Sequence, residues 1–141
     1  MIHRWHSLLG MQKYDKTWHE QDLADELAEY YEEKQLLKKW SELSDVVYTC
    51  TRGRWSGHNL DFPFSDTKFY LGVVYMIPKY SLRWLFFRKA GKRAGAKMPV
   101  HEVRNPKKTH KLHQIAERNN IDKKNFQLIC EKQLRYWILL P

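Results

Sequence analysis

The hydrophobic and polar positions of this chain repeat with a helical period for most of its length. From Thr17 onward, Leu23, Ala24, Leu27, Tyr30 and Tyr31 are apolar, while Asp22, Asp25, Glu26, Glu29, Glu32 and Glu33 fill the other faces. This is the 3.6-residue spacing of an amphipathic helix. Thr17 and Glu20 form a capping-box pattern at its start, and the early acids complement the positive end of the helix dipole. A second helix is expected from about Ser41, a plausible N-cap, to Thr51, with Leu43, Val46, Val47 and Cys50 inward. Residues 52–59, rich in Gly, and residues 61–64, with Pro63, read as loop. Ser65 or Asp66 then caps a third helix. Its run over residues 69–77 is apolar almost all round, which suits the centre of a core; a buried strand is the alternative there.

Pro78 interrupts that run, and residues 79–93 resume as a basic helix ended by Gly91, Gly95 and Pro99. Asn105 and Pro106 open a further basic helix reaching about Arg118. Asn119 and Asn120 turn the chain, and Asp122 caps a last helix running from Lys123 to about Trp137, with Phe126, Ile129, Cys130 and Leu134 as its stripe. Residues 1–16 read as a short helix or a packing arm. The expectation is an all-α fold, a bundle of four to six helices with a central apolar helix. It forms a single domain over residues 1–141, with acidic helices at about 17–51 and a basic helical half at about 66–141.

Candidate chemistry lies in two acidic pairs, Glu26-x-x-Glu29 and Glu42-x-x-Asp45, separated by twelve residues. At i, i+3 spacing each pair occupies one helix face. If the two helices fold back on each other, four carboxylates converge, and a cation must sit among them. Hard oxygen donors of this kind suit Mg²⁺, which binds through carboxylates, water and substrate phosphate. A straight helix would instead hold Glu29 and Glu42 about 20 Å apart at 1.5 Å per residue, too far for one metal cluster. The metal reading therefore requires a turn near residues 34–40, or a partner subunit that supplies the second pair. Glu33, one turn beyond Glu29, is an alternate ligand.

These residues resemble the signature of the all-α nucleoside triphosphate pyrophosphohydrolases, the MazG and dimeric dUTPase group. That signature is E-E-x-x-E, a gap of a dozen or more residues, then E-x-x-D. Here it reads Asp25-Glu26-Leu27-Ala28-Glu29 and Glu42-Leu43-Ser44-Asp45, with Asp25 in place of the leading Glu. The resemblance covers residues 18–50 and does not extend to the C-terminal half. It implies that Glu26, Glu29, Glu42 and Asp45 are the catalytic and metal-binding residues, with Mg²⁺ as cofactor. It also implies hydrolysis of an NTP or dNTP to nucleoside monophosphate and pyrophosphate, and assembly as a homodimer or homotetramer.

A triphosphate also needs cations. Arg88, Lys89, Lys92, Arg93 and Arg104 are the candidates, followed by Lys107 and Lys108; Arg suits bidentate phosphate contact. Trp18 and His19 precede the acidic face and are candidates for contact with a base. His101, His110 and His113 are a weaker zinc candidate. The loop over residues 52–59 lacks the P-loop pattern, and no signature of covalent catalysis occurs.

Charge is divided along the chain. Residues 1–66 hold 8 Lys and Arg against 12 Asp and Glu, and residues 67–141 hold 17 against 4, for a net +9 over 141 residues. The basic half, with Trp84 among its cations, supports an alternative reading as a nucleic-acid-binding protein; a catalytically inactive structural relative is a third. Aromatic residues reach 14%, which argues against disorder despite a mean hydropathy of −0.72. No apolar run approaches a membrane span, no signal-peptide pattern opens the chain, and the two cysteines form no C-x-x-C motif. A reduced, cytoplasmic setting with no membrane partner is expected.

Overall fold

Every described element is a helix in a computed structural model, which describes residues 1–137 and Leu140. The helices are α1 (Ile2–Leu9), α2 (Lys16–Glu32), α3 (Leu36–Trp55), α4 (Asp66–Arg93), α5 (Thr109–Arg118) and α6 (Lys123–Leu134). None is long and apolar enough to cross a membrane. The chain packs as two compact units, residues 1–78 and 79–141.

In the first unit, α2 and α3 form a helical hairpin. Leu23, Leu27 and Tyr30 on α2 meet Leu43, Val46 and Cys50 on α3, and Phe62 and Phe64 pack against the same cluster. The turn occupies residues 33–35, at the near edge of the expected stretch. It is made without Gly or Pro: the Glu33 carboxylate accepts the Gln35 N–H at 2.7 Å, and the Glu33 N–H still donates to the Glu29 carbonyl. Ser41 therefore lies inside α3 rather than capping it, and Gln35 stands at the cap position without a side-chain bond. The N-cap of α2 is Asp15, whose Oδ1 accepts the Trp18 N–H at 2.8 Å, in place of the expected Thr17.

α3 also continues through Arg52 and Gly53 to Trp55, where a loop was expected. Gly53 is kept helical by its neighbour. A Cβ there would lie 2.3 Å from Leu60 Cδ1, so the returning loop packs directly on the helix backbone. Arg52 and Arg54 in the last turn favour the negative end of the dipole. α1 docks on α3 through His6, which is fully buried with Nε2 3.0 Å from Thr51 Oγ1.

Pro78 lies inside α4 rather than ending it. A proline cannot bond to the carbonyl four residues back. That residue is Val74, 72% exposed, so water can satisfy the freed carbonyl. The apolar run before Pro78 is buried on one side only: Gly72, Val73 and Met76 face inward, whereas Tyr70, Leu71, Val74 and Tyr75 are exposed.

In the second unit, Phe86, Phe87 and Ala90 of α4 join Leu112, Ile115 and Ala116 of α5 and Phe126 and Cys130 of α6. Gln133 ties α6 to α4 by donating from Nε2 to the Phe86 carbonyl at 2.8 Å. Asp122 caps α6 as expected, accepting the Asn125 N–H at 2.7 Å. Asn120 turns the chain at φ 52°. α5 starts three residues after Pro106, and α6 ends at Leu134, short of Trp137. Gly91 lies within α4 rather than ending it, and Val100 Cγ2 would stand 2.4 Å from a Cβ there, which leaves room only for glycine; Gly95, at φ 80°, turns the chain just beyond the helix.

α4 packs tightly on α3 at Gly72, where a Cβ would stand 2.5 Å from Val47 Cγ2. Gly72→Val should destabilise the protein by about 1–3 kcal/mol, the usual effect of overpacking a filled core. Urea unfolding of the two proteins measures it. An unchanged midpoint would show that α3 and α4 do not meet this closely.

Candidate metal centre

One hydrogen bond marks the register of the hairpin. Thr49 Oγ1 on α3 donates to Asp22 Oδ2 on α2 at 2.8 Å. Because the helices run antiparallel, one turn toward the connection brings Glu26 level with Asp45. The next turn brings Glu29 level with Glu42. Asp22, Glu26 and Glu29 share a face of α2 at i, i+4 and i+7, and Glu42, Asp45 and Thr49 share a face of α3 at i, i+3 and i+7.

One carboxylate oxygen from each of Glu26, Glu29 and Glu42 lies within 4.8 Å of the others. Ligands on opposite sides of one Mg²⁺ stand about 4.2 Å apart, twice a bond of about 2.1 Å, so small rotamer changes would bring the trio onto one ion. The donor set is all oxygen and open on one side, since Glu29 is exposed while Glu26 and Glu42 are half-buried. Residues and geometry thus fit a hard divalent cation that keeps water or phosphate in its remaining positions. Asp45 lies outside the trio but beside it.

The electrostatics are unusual for surface helices. Burial, then the negative charges of Asp45, Asp22, Glu29 and Glu42, push the Glu26 carboxyl up to about 8. Asp22 is also raised, chiefly by burial; the Thr49 hydrogen bond and the Arg52 charge pull the other way. Arg52 is 8% exposed, stands 5.2 Å from the Trp18 ring centre and 5.0 Å from that of Tyr14, and donates from a terminal guanidinium nitrogen to the Gln12 carbonyl at 2.8 Å. Asp22, Thr49 and Arg52 were not singled out from sequence. Asp22 continues the α2 track one turn before Glu26, and Thr49 continues the α3 track one turn after Asp45, so the spacing held the signal.

The other candidates are distributed differently. Glu33 is used in the hairpin turn. His19 is fully buried, with Nε2 3.0 Å from Ser56 Oγ, and exposes no surface to a base. Trp18 is half-buried and stacked on Tyr14 at 4.1 Å. Arg88, Lys89, Lys92, Arg93 and Arg104 belong to the second unit. There Arg93 donates to Gln133 at 3.4 Å and Arg104 to Gln114 at 3.1 Å, while Arg88 stands 4.6 Å from the Trp84 ring centre. His113 bonds Gln127 at 2.8 Å, and His101 faces Trp84 Nε1 at 3.4 Å. Among the described residues, the glutamate trio is the one group of three or more metal-ligating side chains, so the histidines assemble no zinc site. No protein-family model, curated protein or solved structure matches the chain.

A carboxyl near pKa 8 keeps a proton that the unfolded chain releases above about 4.5. The stability it contributes is full at low pH and is lost as pH rises through that window. In metal-free buffer, the melting temperature of Glu26→Gln relative to wild type should therefore rise from about pH 4.5 to about 8. The buried His6 and His19, lowered to about 3 and about 4 mainly by burial, give the opposite slope below 6.5, and they do so in both proteins. A gap between the two melting curves that is constant with pH would show that Glu26 titrates normally.

Proposed function

We propose that the first unit is a Mg²⁺-dependent nucleoside triphosphate pyrophosphohydrolase, converting an NTP or dNTP to nucleoside monophosphate and pyrophosphate. The observation that carries this reading is the convergence of Glu26, Glu29 and Glu42 from two helices, around a carboxyl that burial and its neighbours' charges keep protonated. The resemblance of Asp25–Glu29 and Glu42–Asp45 to the pyrophosphohydrolase signature supplies the substrate class.

Glu26, Glu29 and Glu42 would hold the cation. When bound, Mg²⁺ supplies charge neutralisation to the phosphate oxygens. Glu26 holds its proton in the empty site and gives it up when a competing positive charge enters, so cation binding releases a proton near neutral pH. Asp45, beside the trio and half-buried, would orient the water that attacks the α-phosphorus and accept its proton. Thr49 holds Asp22 one turn away by a hydrogen bond, and the Arg52 charge favours its ionised form. Lys39 lies one turn before Glu42 on α3, with Nζ 4.9 Å from the Tyr30 ring centre, and is the nearest cation along that helix for the triphosphate. The homodimer or homotetramer implied by the resemblance belongs to the same proposal. The exposed row Tyr70, Leu71, Val74 and Tyr75 is one apolar surface that this unit would offer to assembly.

Pyrophosphate release from a panel of ribo- and deoxynucleoside triphosphates, with Mg²⁺ and with EDTA, tests the reading. Glu42→Ala and Asp45→Ala should each lower the rate by about 100-fold or more, the scale of losing a principal electrostatic group. Glu20→Ala, on an exposed face of α2, should leave it unchanged. Saturating Mg²⁺ should also stabilise wild type by about 2.7 kcal/mol at 100 times its dissociation constant, an effect absent from Glu42→Ala. Folded protein with neither release nor a Mg²⁺-dependent shift in melting would end the proposal.

A further inference from the structure

The second unit carries a different kind of site. Residues 79–141 hold 16 Lys and Arg against 4 Asp and Glu, a net charge of +12. Part of that charge converges on a cleft of about 560 Å³. Arg88, Lys89 and Lys92 enter it from one face of α4, at a spacing that puts them on successive turns. Lys97 enters from the chain beyond Gly95, whose φ of 80° folds that segment back along the helix. Among the described residues, no carboxylate lines the cleft. Its walls are apolar: Leu85 and Met98 are 47% and 73% exposed, and the half-buried Trp137, held edge-on to Phe86 at 5.7 Å, forms part of the lining.

Four cations with no acid, set around a half-buried aromatic ring and exposed aliphatic side chains, match a ligand that is anionic and flat at once. A nucleotide has that character, because its phosphate meets the cations and its base meets the ring. The size of the cleft suits one such unit. The surplus of charge over the rest of the unit, including the exposed Lys107 and Lys108, favours a string of phosphates over a single nucleotide. Concavity favours a single strand, since a base must leave a duplex to enter a cavity. We infer that this cleft binds single-stranded nucleic acid, with one nucleotide seated between Trp137 and the Arg88–Lys89–Lys92 face. The inference does not rest on the metal centre of the first unit, and it assigns a second binding function to the protein.

Fluorescence anisotropy tests it with the full chain and a labelled oligodeoxythymidine of roughly 15 nucleotides, the upper range of one such binding site. EDTA in the buffer keeps the metal centre silent. Wild type should bind, and more weakly as salt rises. Lys89→Glu with Lys92→Glu, both at exposed helix positions, should weaken binding by at least about 10-fold. The same pair should flatten the slope of log affinity against log salt by about 0.7 for each phosphate no longer neutralised. Lys97→Glu, outside any helix, should act in the same direction without bearing on helix stability. Lys34→Glu with Lys38→Glu makes an equal charge change at exposed positions of the first unit and should have a much smaller effect. Circular dichroism verifies that each variant is folded. Absent binding would overturn the inference, as would equal losses in the cleft and control variants. Displacement of the strand by ATP at matched nucleotide concentration would make the occupant a free nucleotide instead, and equal binding of duplex would exclude a seated base.

Discussion

The constraint on which the first unit turns is that its most favourable apolar packing brings like charges together. Leu23, Leu27 and Tyr30 pack on Leu43, Val46 and Cys50, and the bond from Thr49 to Asp22 marks the register. In that register the acidic tracks of both helices face each other at each turn. Hydrophobic contact is not directional, so the polar face has to accept what the apolar face dictates. The outcome is visible at Glu26, where desolvation and four neighbouring carboxylates act in the same direction. A proton on Glu26 relieves the repulsion there, and under the proposed function a divalent cation would compete with it for the same position.

Much of this was legible in the sequence. The helical periods of residues 17–33 and 41–51, the four acids and the requirement for a turn between them follow from spacing alone. The extents of the helices do not, because each depends on which of several competing contacts forms. Asp15 and Thr17 are both competent caps two residues apart, and the one whose oxygen reaches Trp18 N–H is the cap. Gly53 and Gly91 look like helix ends, yet both sit where Leu60 and Val100 press against bare backbone. Pro78 looks like a stop, yet the carbonyl it leaves unbonded lies at an exposed residue. The hairpin turn contains no breaker at all, and a carboxylate one residue past α2 supplies its geometry.

The charge asymmetry was also legible, but its meaning was not. The halves map closely onto the two units: −3 for residues 1–78 and +12 for residues 79–141. The cations expected to meet a triphosphate divide on inspection. Arg93 and Arg104 are occupied with Gln133 and Gln114, whereas Arg88, Lys89 and Lys92 share a cleft. The sequence pattern put those three on one basic helix. It said nothing of Lys97, Met98 or Trp137, which reach the same cleft from a non-helical segment and from beyond the last helix.

The contrast between two neighbouring carboxylates argues that the acidic groove is more than a by-product of packing. Asp22 is raised by burial, yet the fold gives it Thr49 as a hydrogen-bond donor and Arg52 as a positive charge. The same pair of helices can therefore compensate a half-buried acid with ordinary side chains. One turn away, at Glu26, every charge acting on the group opposes its ionisation. A glutamine at that position would keep the helix and the shape while removing the repulsion. Stability alone gives no reason to keep an acid there, and sites held against stability are where binding and catalysis are expected. An incoming divalent cation relieves all of these repulsions at once, which is why the carboxylate trio, rather than the basic half, carries the functional reading of this unit.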